Sequence, residues 1–155
     1  MRRLSSLVAL VILGSVVCAF AQTPSLQAEK TLSYKVGTEM ALDVKVGPVK
    51  VHKVKITIGS GGGVGAAVKA RVTKMDPLVE EVLQFVFDAE NPDKVDYNVT
   101  YSVELLNTKG EVIDRFSEKD GYEAEAKSSR FEHVILKVAL PMIDKVRIKF
   151  QAAVD

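Results

Sequence analysis

Apolar and polar residues alternate with a period of two along most of this chain, which is typical of β-strands with one buried face. The clearest alternation covers residues 95–105, where Val, Tyr and Leu share one parity and polar residues share the other. Asn107-Thr108-Lys109-Gly110 then forms a turn signal, and residues 111–116 are the partner strand of a predicted hairpin. The predicted inward side chains are those of Tyr97, Val99, Tyr101 and Val103.

Two other segments carry more specific predictions. The parity of the apolar residues changes between Val51 and Val54, which predicts a β-bulge near His52-Lys53. Residues 82–87 are apolar except for Gln84, as in a strand covered on both faces.

The remaining strand signals complete an all-β fold. Alternating runs occupy residues 40–46, 49–58, 64–72, 134–140 and 146–150, whereas residues 117–130 are polar with only a weak strand signal. Met75-Asp76-Pro77 and Pro141 are predicted breakers. About eight strands separated by turn signals predict an antiparallel immunoglobulin-like β-sandwich.

The N-terminus has the features of a secretory signal peptide. Arg2 and Arg3 precede an apolar run over residues 4–20, and Ala19 and Ala21 provide the small residues of a cleavage site. We therefore expect a signal peptide at 1–21, a single domain at 22–155, and a secreted or periplasmic location. Cleavage removes Cys18, the one cysteine, and with it disulfides and thiolate chemistry. Lipidation of Cys18 is the alternative, but Val17 precedes it where a small residue is favoured.

Charge excludes some partners. The net charge of +1 becomes −1 when Arg2 and Arg3 leave with the leader. Such a balance gives no global field toward nucleic acid or anionic lipid. We expect no nucleic-acid partner and no stable membrane insertion after cleavage.

A glycine-rich segment follows the apolar run at 54–58. Residues 61–66 fit G-x-G-x-x-A, and a later apolar run ends in Asp88, as in a dinucleotide-binding unit. The period-two pattern after the glycines and the short chain argue against that unit, so we predict a flexible loop that binds no nucleotide, and no cofactor. The loop glycines are Gly59, Gly61, Gly62, Gly63 and Gly65.

Histidines and acids are the remaining candidates for chemistry. His52 and His133 lie far apart in strand patterns, where ordinary packing is the default and a shared zinc site the alternative. A solvated acidic loop is predicted at 118–125, with calcium binding as its alternative. The acids of that loop are Glu118, Asp120, Glu123 and Glu125. No nucleophile motif of the G-x-S-x-G type occurs, so no catalytic residue is assigned.

Residues 82–113 resemble a known class of exported modules. Their Glu90-Asn91-Pro92 turn, alternating strand and hairpin over residues 104–113 are similar to bacterial FxLYD-type and related immunoglobulin-like extracytoplasmic modules. The resemblance implies a non-catalytic exported module and assigns no functional residue.

Three functions follow as hypotheses. The leading one is an exported binding or structural module with a protein or glycan partner. The first alternative is a small periplasmic hydrolase or carbohydrate-active enzyme that uses the acidic loop. The second is an outer-membrane β-barrel, against which the aromatic content of 6% argues because barrels carry two aromatic girdles.

Overall fold

The computed structural model describes residues 26–59 and 80–155, which form eight β-strands and one short 3₁₀ helix. The strands are β1 (Gln27–Ser33), β2 (Glu39–Val46), β3 (Val49–Ile58), β4 (Glu80–Glu90), β5 (Tyr97–Leu106), β6 (Val112–Tyr122), β7 (Ala126–Leu136) and β8 (Lys145–Val154), and the 3₁₀ helix is Lys137–Met142. The predicted signal peptide, the glycines at 61–65, the strand at 64–72 and the breaker at 75–77 lie outside the described residues. No described helix has the length and hydropathy of a membrane-spanning segment.

The strands form two four-stranded antiparallel sheets, as predicted. The first sheet has the order β1-β8-β5-β6 and the second has the order β2-β3-β4-β7. The pairings of β4 with β7 and of β5 with β8 interlock the two sheets, like strands B with E and C with F of an immunoglobulin sandwich. The fold is therefore an all-β sandwich with Greek-key connections.

The core lies between the sheets and follows the predicted parity of β5. Val99, Tyr101 and Val103 are buried against inward residues of the opposite sheet, such as Phe85 and Phe87. On β4, the outward-facing Val82 and Gln84 are also buried, but Val86 is only half-buried and lines a recess, so the prediction of a strand covered on both faces holds only for the first part of β4. The alternation predicts inward side chains for Val95 and Ile58, but both are exposed. Val95 precedes β5, and Ile58 is the last residue of β3.

The predicted β-bulge is present at His52. Val51 pairs with Ala89 and Lys53 pairs with Asp88, so His52 has no partner on β4. On the other side of β3 the register shifts between Ala41 and Val44, where Asp43 adopts a left-handed backbone with φ of 49°. The extra residue switches the parity of β3 and keeps both Val51 and Val54 in the core.

The edge strand β1 carries a charge on its inner side. Lys30 pairs with Ile148, whose side chain lies in the core, so the two side chains point to the same face. Lys30 is half-buried between Ala28 and Leu32, which both pack against the core. An inward-pointing charge of this kind marks a protected sheet edge.

The polar stretch at 117–130 is almost entirely strand, so the predicted acidic loop at 118–125 is wrong. Strand β6 continues to Tyr122 because it pairs along the whole of β5, and β7 begins at Ala126. Only residues 123–125 connect the two strands. Polar residues are abundant here because both strands are sheet edges, with one face in water.

The strand predicted at 134–140 ends early. Strand β7 stops at Leu136, and Val138 and Leu140 lie in the 3₁₀ helix, which also contains Pro141. The buried parity of β7 runs through Ile135, so Leu136 and Val138 are exposed rather than inward. The prediction failed because the chain leaves the second sheet at this point and crosses to the first.

Candidate functional site

The two histidines lie in separate places. His52 stands on the bulge, with its Nε2 atom 3.7 Å from Glu90 Oε1. His133 Nε2 lies 2.9 Å from Asp114 Oδ2, and its ring stacks on Phe116 with centroids 4.6 Å apart. On β4, Leu83 pairs with His133, and Ala89 lies beside the bulge that carries His52. These two β4 residues are six positions apart, or about 20 Å, so the histidines do not share a site.

His133 instead joins the two sheets. Strand β7 belongs to the second sheet and β6, which carries Asp114 and Phe116, belongs to the first. The hydrogen bond between His133 and Asp114 and the ring stack therefore close the edge of the sandwich. No group of three or more His, Cys, Asp or Glu residues in ranges 26–59 and 80–155 could hold a metal ion.

The acidic residues at 118–125 do not all converge on one place. Glu118 and Asp120 lie on β6, whereas Glu123 and Glu125 lie in the short connection to β7. The last two line a recess of about 340 Å³ at one end of the sandwich. Asp120 points to the inner side of the sheet, because it pairs with the buried Val99.

Asp120 ends a buried chain of hydrogen bonds that the sequence analysis missed. Ser129 Oγ donates to Asp120, so it accepts from the Tyr122 hydroxyl at 2.6 Å, which is bonded in turn to the Tyr101 hydroxyl. Lys127 Nζ donates to the other oxygen of Asp120 at 2.7 Å. The sequence feature that could have predicted this network is the inward position of Tyr101, since a buried tyrosine needs a hydrogen-bond partner for its hydroxyl.

Burial and hydrogen bonding shift the pKa values of this network in opposite directions. Burial raises the pKa of Tyr101 and of Tyr122 above the ordinary value. Burial opposes ionisation of Asp120 as well, but hydrogen bonds from Lys127 and Ser129 hold the pKa of that carboxyl below its usual range. The carboxylate therefore stabilises the fold above about pH 4, and this contribution is lost as the pH falls through the lowered pKa.

The network is suited to holding the edge of the sandwich together rather than to catalysis. Ser129 is 2% exposed, so a substrate has no access to its hydroxyl. Each polar atom in the chain has a partner, and the chain joins β5 and β6 of the first sheet to β7 of the second. Fully satisfied buried networks of this kind fix a unique packing.

A recess of about 440 Å³ lies on the outer face of the first sheet, and we call it the trough. It spans β1, β8 and β5 in two rows of directly paired residues. The first row is Gln27, Gln151 and Thr100, and the second is Glu29, Lys149 and Ser102. Neighbouring strands are about 4.8 Å apart, so each row is roughly 10 Å across.

The charges around the trough are paired. Glu104 accepts hydrogen bonds from Arg147 Nη1 and Lys149 Nζ, each at 3.1 Å, and Glu29 lies 3.7 Å from Arg147 Nε. The hydrogen bond from Lys149 holds the pKa of Glu104 below its usual value, against an opposing contribution from burial. The lining itself holds one acid, Glu29, and one base, Lys149, so it has no net charge, while Lys119 on β6 extends the first row beyond Thr100.

Sequence reasoning did not find the trough. Its residues come from both ends and the middle of the chain, and only the register of β1, β8 and β5 brings them together. The outer face of the second sheet is different. Its recess of about 280 Å³ is lined mainly by charged side chains, including Lys53, Lys55, Asp88 and Arg130.

Comparisons with known proteins do not identify this chain. Neither known protein families nor curated proteins gave a match. Among solved structures, the enzymatically active domain of tailspike protein 4 from bacteriophage CBA120 matches at 10% identity and a TM-score of 0.28. The alignment covers 84% of this chain but only 18% of that protein, and a likeness this distant says nothing about ligand or activity.

Proposed function

We propose that this protein is an exported, non-catalytic binding module and that the trough holds a neutral, hydroxyl-rich chain such as a glycan. The observation that carries the proposal is the electroneutral trough itself. Amide and hydroxyl groups from Gln27, Gln151, Thr100 and Ser102 face outward there, beside a charge network that sums to zero.

The side chains of the trough match the chemistry of sugars. Glutamine amides and Thr or Ser hydroxyls both donate and accept hydrogen bonds, as sugar hydroxyls do. An ionic ligand would have to compete with the existing pairs of Glu104. The open, shallow shape suits an extended chain lying across the strands better than a small molecule, which needs an enclosing pocket.

A hydrolase that uses the acidic residues has less support. Such an enzyme needs two carboxyl groups facing one cleft. Asp120 is already bonded to Ser129 and Lys127, and Glu118 is exposed on the same strand. Glu123 and Glu125 share the end recess with Asp96 and Asp155, but all four residues are exposed, whereas paired catalytic carboxyls differ in their burial. The resemblance of the hairpin to exported immunoglobulin-like modules supports the same conclusion.

Export is tested by the mass of the protein recovered from outside the cytoplasm. We expect a chain that begins after Ala21, because Arg2-Arg3, the apolar run and Ala19 match the pattern of a signal peptide. Intact-mass spectrometry measures this directly. A mass that retains Met1, or a diacylglycerol on Cys18, contradicts the prediction.

Glycan binding is tested with a panel of neutral oligosaccharides of different linkage, by calorimetry or by NMR titration. We expect at least one to bind, and the double variant Thr100→Ala/Gln151→Ala to weaken it by a factor of about 30, since two hydrogen bonds of roughly 1 kcal/mol each are removed. Signals of residues on β1, β5 and β8 should shift on binding.

The control carries Lys55→Ala and Ser128→Ala on the outer face of the second sheet. It should bind like the unmodified protein, because those side chains lie on the opposite side of the sandwich. Absence of binding to every oligosaccharide, or equal binding by the Thr100/Gln151 variant, overturns the proposal.

A further inference from the structure

The two rows of the trough continue beyond β5 onto the edge strand β6. Lys119 pairs with Thr100 and extends the first row, and Ser117 pairs with Ser102 and extends the second. The Oγ atoms of Ser102 and Ser117 are hydrogen-bonded at 2.8 Å, so the second row is continuous between the two strands. Each row is then four strands wide, or roughly 14 Å.

A third row lies beside these two and ends in an arginine on β6. Its members, from β1 to β6, are Thr31, Arg147, Glu104 and Arg115. Arg115 and Lys119 thus stand on the same outer face of β6, with Ser117 between them. Their Cα atoms are four residues or about 13 Å apart, and both residues are exposed.

Arg115 and Lys119 differ from the other outward cations of the first sheet, because they have no acidic partner. The outward cations of β8 each have a carboxylate oxygen within 4 Å, and they are Lys145, Arg147 and Lys149. Within residues 26–59 and 80–155, neither the Arg115 guanidinium nor the Lys119 ammonium has a salt bridge or a hydrogen bond. The outer face therefore carries two uncompensated positive charges, both at its β6 edge.

The acids of β6 point away from these two cations. Successive side chains of a strand alternate between its faces, so Asp114, Glu118 and Asp120 lie on the inner side, opposite inward residues of β5. Asp114 and Asp120 are in addition bonded to side chains of β7. Beyond the first row, Asp155 accepts a hydrogen bond from Asn98.

We infer that the glycan held by the trough is anionic in the part that lies over β6, where it carries carboxylate or sulfate groups. This inference rests on the proposed glycan binding and names the class of glycan. The uncharged part of the chain meets the amides and hydroxyls of the trough, and its oxyanions meet Arg115 and Lys119. A guanidinium holds an oxyanion through two parallel hydrogen bonds, and an ammonium adds a point charge.

The cations of β8 cannot supply the same contact without a loss. Arg147 and Lys149 already donate to Glu104, so an anion over β8 would have to displace that carboxylate. An anion over β6 displaces only water from Arg115 and Lys119. This difference also gives the bound chain a direction, with its acidic part at the β6 edge and its uncharged part toward β1.

The test compares matched oligosaccharides that are neutral, carry a uronic acid, or carry a sulfate ester, with calorimetry as the measurement. We expect an acidic member to bind about tenfold more tightly than its neutral counterpart at low salt. The preference should shrink as the salt concentration rises, because exposed charges are screened. The uronic acid and the sulfate show which oxyanion is favoured. In NMR titrations, signals of residues 115–119 should shift more with the acidic members.

Arg115→Gln/Lys119→Gln should remove the preference for acidic members. The matched control is Lys55→Gln/Arg130→Gln, which removes the same two charges from the outer face of the second sheet, where both residues flank Val86. The control should keep the preference. Thermal melts should show that both variants fold, since all four positions lie on outer faces.

The outcomes separate this inference from the proposed function. Equal binding of neutral and acidic members overturns the inference and leaves the proposed glycan binding standing. Loss of the preference in the control as well as in the Arg115/Lys119 variant also overturns the inference, because net charge then explains the preference. Binding of no oligosaccharide, neutral or acidic, contradicts the proposed function and the inference with it.

Discussion

Replacing Val99 by Asp should destabilise the protein by on the order of 4 kcal/mol, a large part of the total stability of a typical domain. Val99 is fully buried at the centre of the first sheet, between its partners Asp120 and Ala152. The new carboxyl would be buried beside the existing carboxylate of Asp120, so the two like charges would repel each other. Urea denaturation monitored by circular dichroism measures the loss.

Thr100→Asp is the control for this experiment. Thr100 is the next residue on β5 but points to the outer face, between Gln151 and Lys119. Its replacement should cost about half a kcal/mol or less, as for most surface substitutions. Equal losses in the two variants would contradict the inward and outward assignment of β5.

Raising the pH above 10 should unfold the protein progressively through its buried tyrosines. The phenol of Tyr101 keeps its proton in the fold, because burial raises its pKa far above the ordinary value, whereas an unfolded tyrosine ionises near pH 10. The unfolded state then binds fewer protons than the folded state, so stability is complete below pH 10 and falls as the pH rises. Tyr101 alone accounts for about 1.4 kcal/mol at pH 11 and about 2.7 kcal/mol at pH 12.

Tyr122 and Tyr34 add to this loss, since burial raises their pKa values as well. Tyr101→Phe provides the comparison. It should lower the stability at neutral pH by about 1 kcal/mol through the lost hydrogen bond to Tyr122, but its stability should fall less steeply above pH 10. Urea melts between pH 7 and 11 test both effects. Identical slopes in the two proteins would show that Tyr101 ionises in the folded state.

The strand pattern was predictable wherever one face of a strand is buried. The parity of Val99 and Tyr101 gave the inner face of β5, and the parity change at His52 gave the bulge, because burial fixes register. The predicted hairpin partner at 111–116 is confirmed as the first half of β6, but residues 117–122 of β6 and most of β7 were not recovered, since they are polar on an exposed face. The alternation predicted inward side chains for Leu136 and Val138, which are exposed. Alternation alone does not distinguish buried apolar residues from exposed ones.

The candidate site depended on long-range register, which no local pattern contains. Gln27 and Gln151 meet only because β1 pairs with β8, although they stand near the two ends of the described chain. The buried network was partly visible, because an inward tyrosine predicts a polar partner. The partner of the Tyr101 hydroxyl is Tyr122, which is bonded in turn to Ser129, and this choice depends on how the two sheets pack against each other.

The inward charge of Lys30 has a consequence for how molecules of this protein meet. A strand from another chain that added to the free edge of β1 would have to leave the ammonium of Lys30 without water beside Ile148. The left-handed residue Asp43 similarly interrupts the straight edge of β2. The edges formed by β1 and β2 therefore resist the addition of a further strand and the templated growth of a continuous sheet.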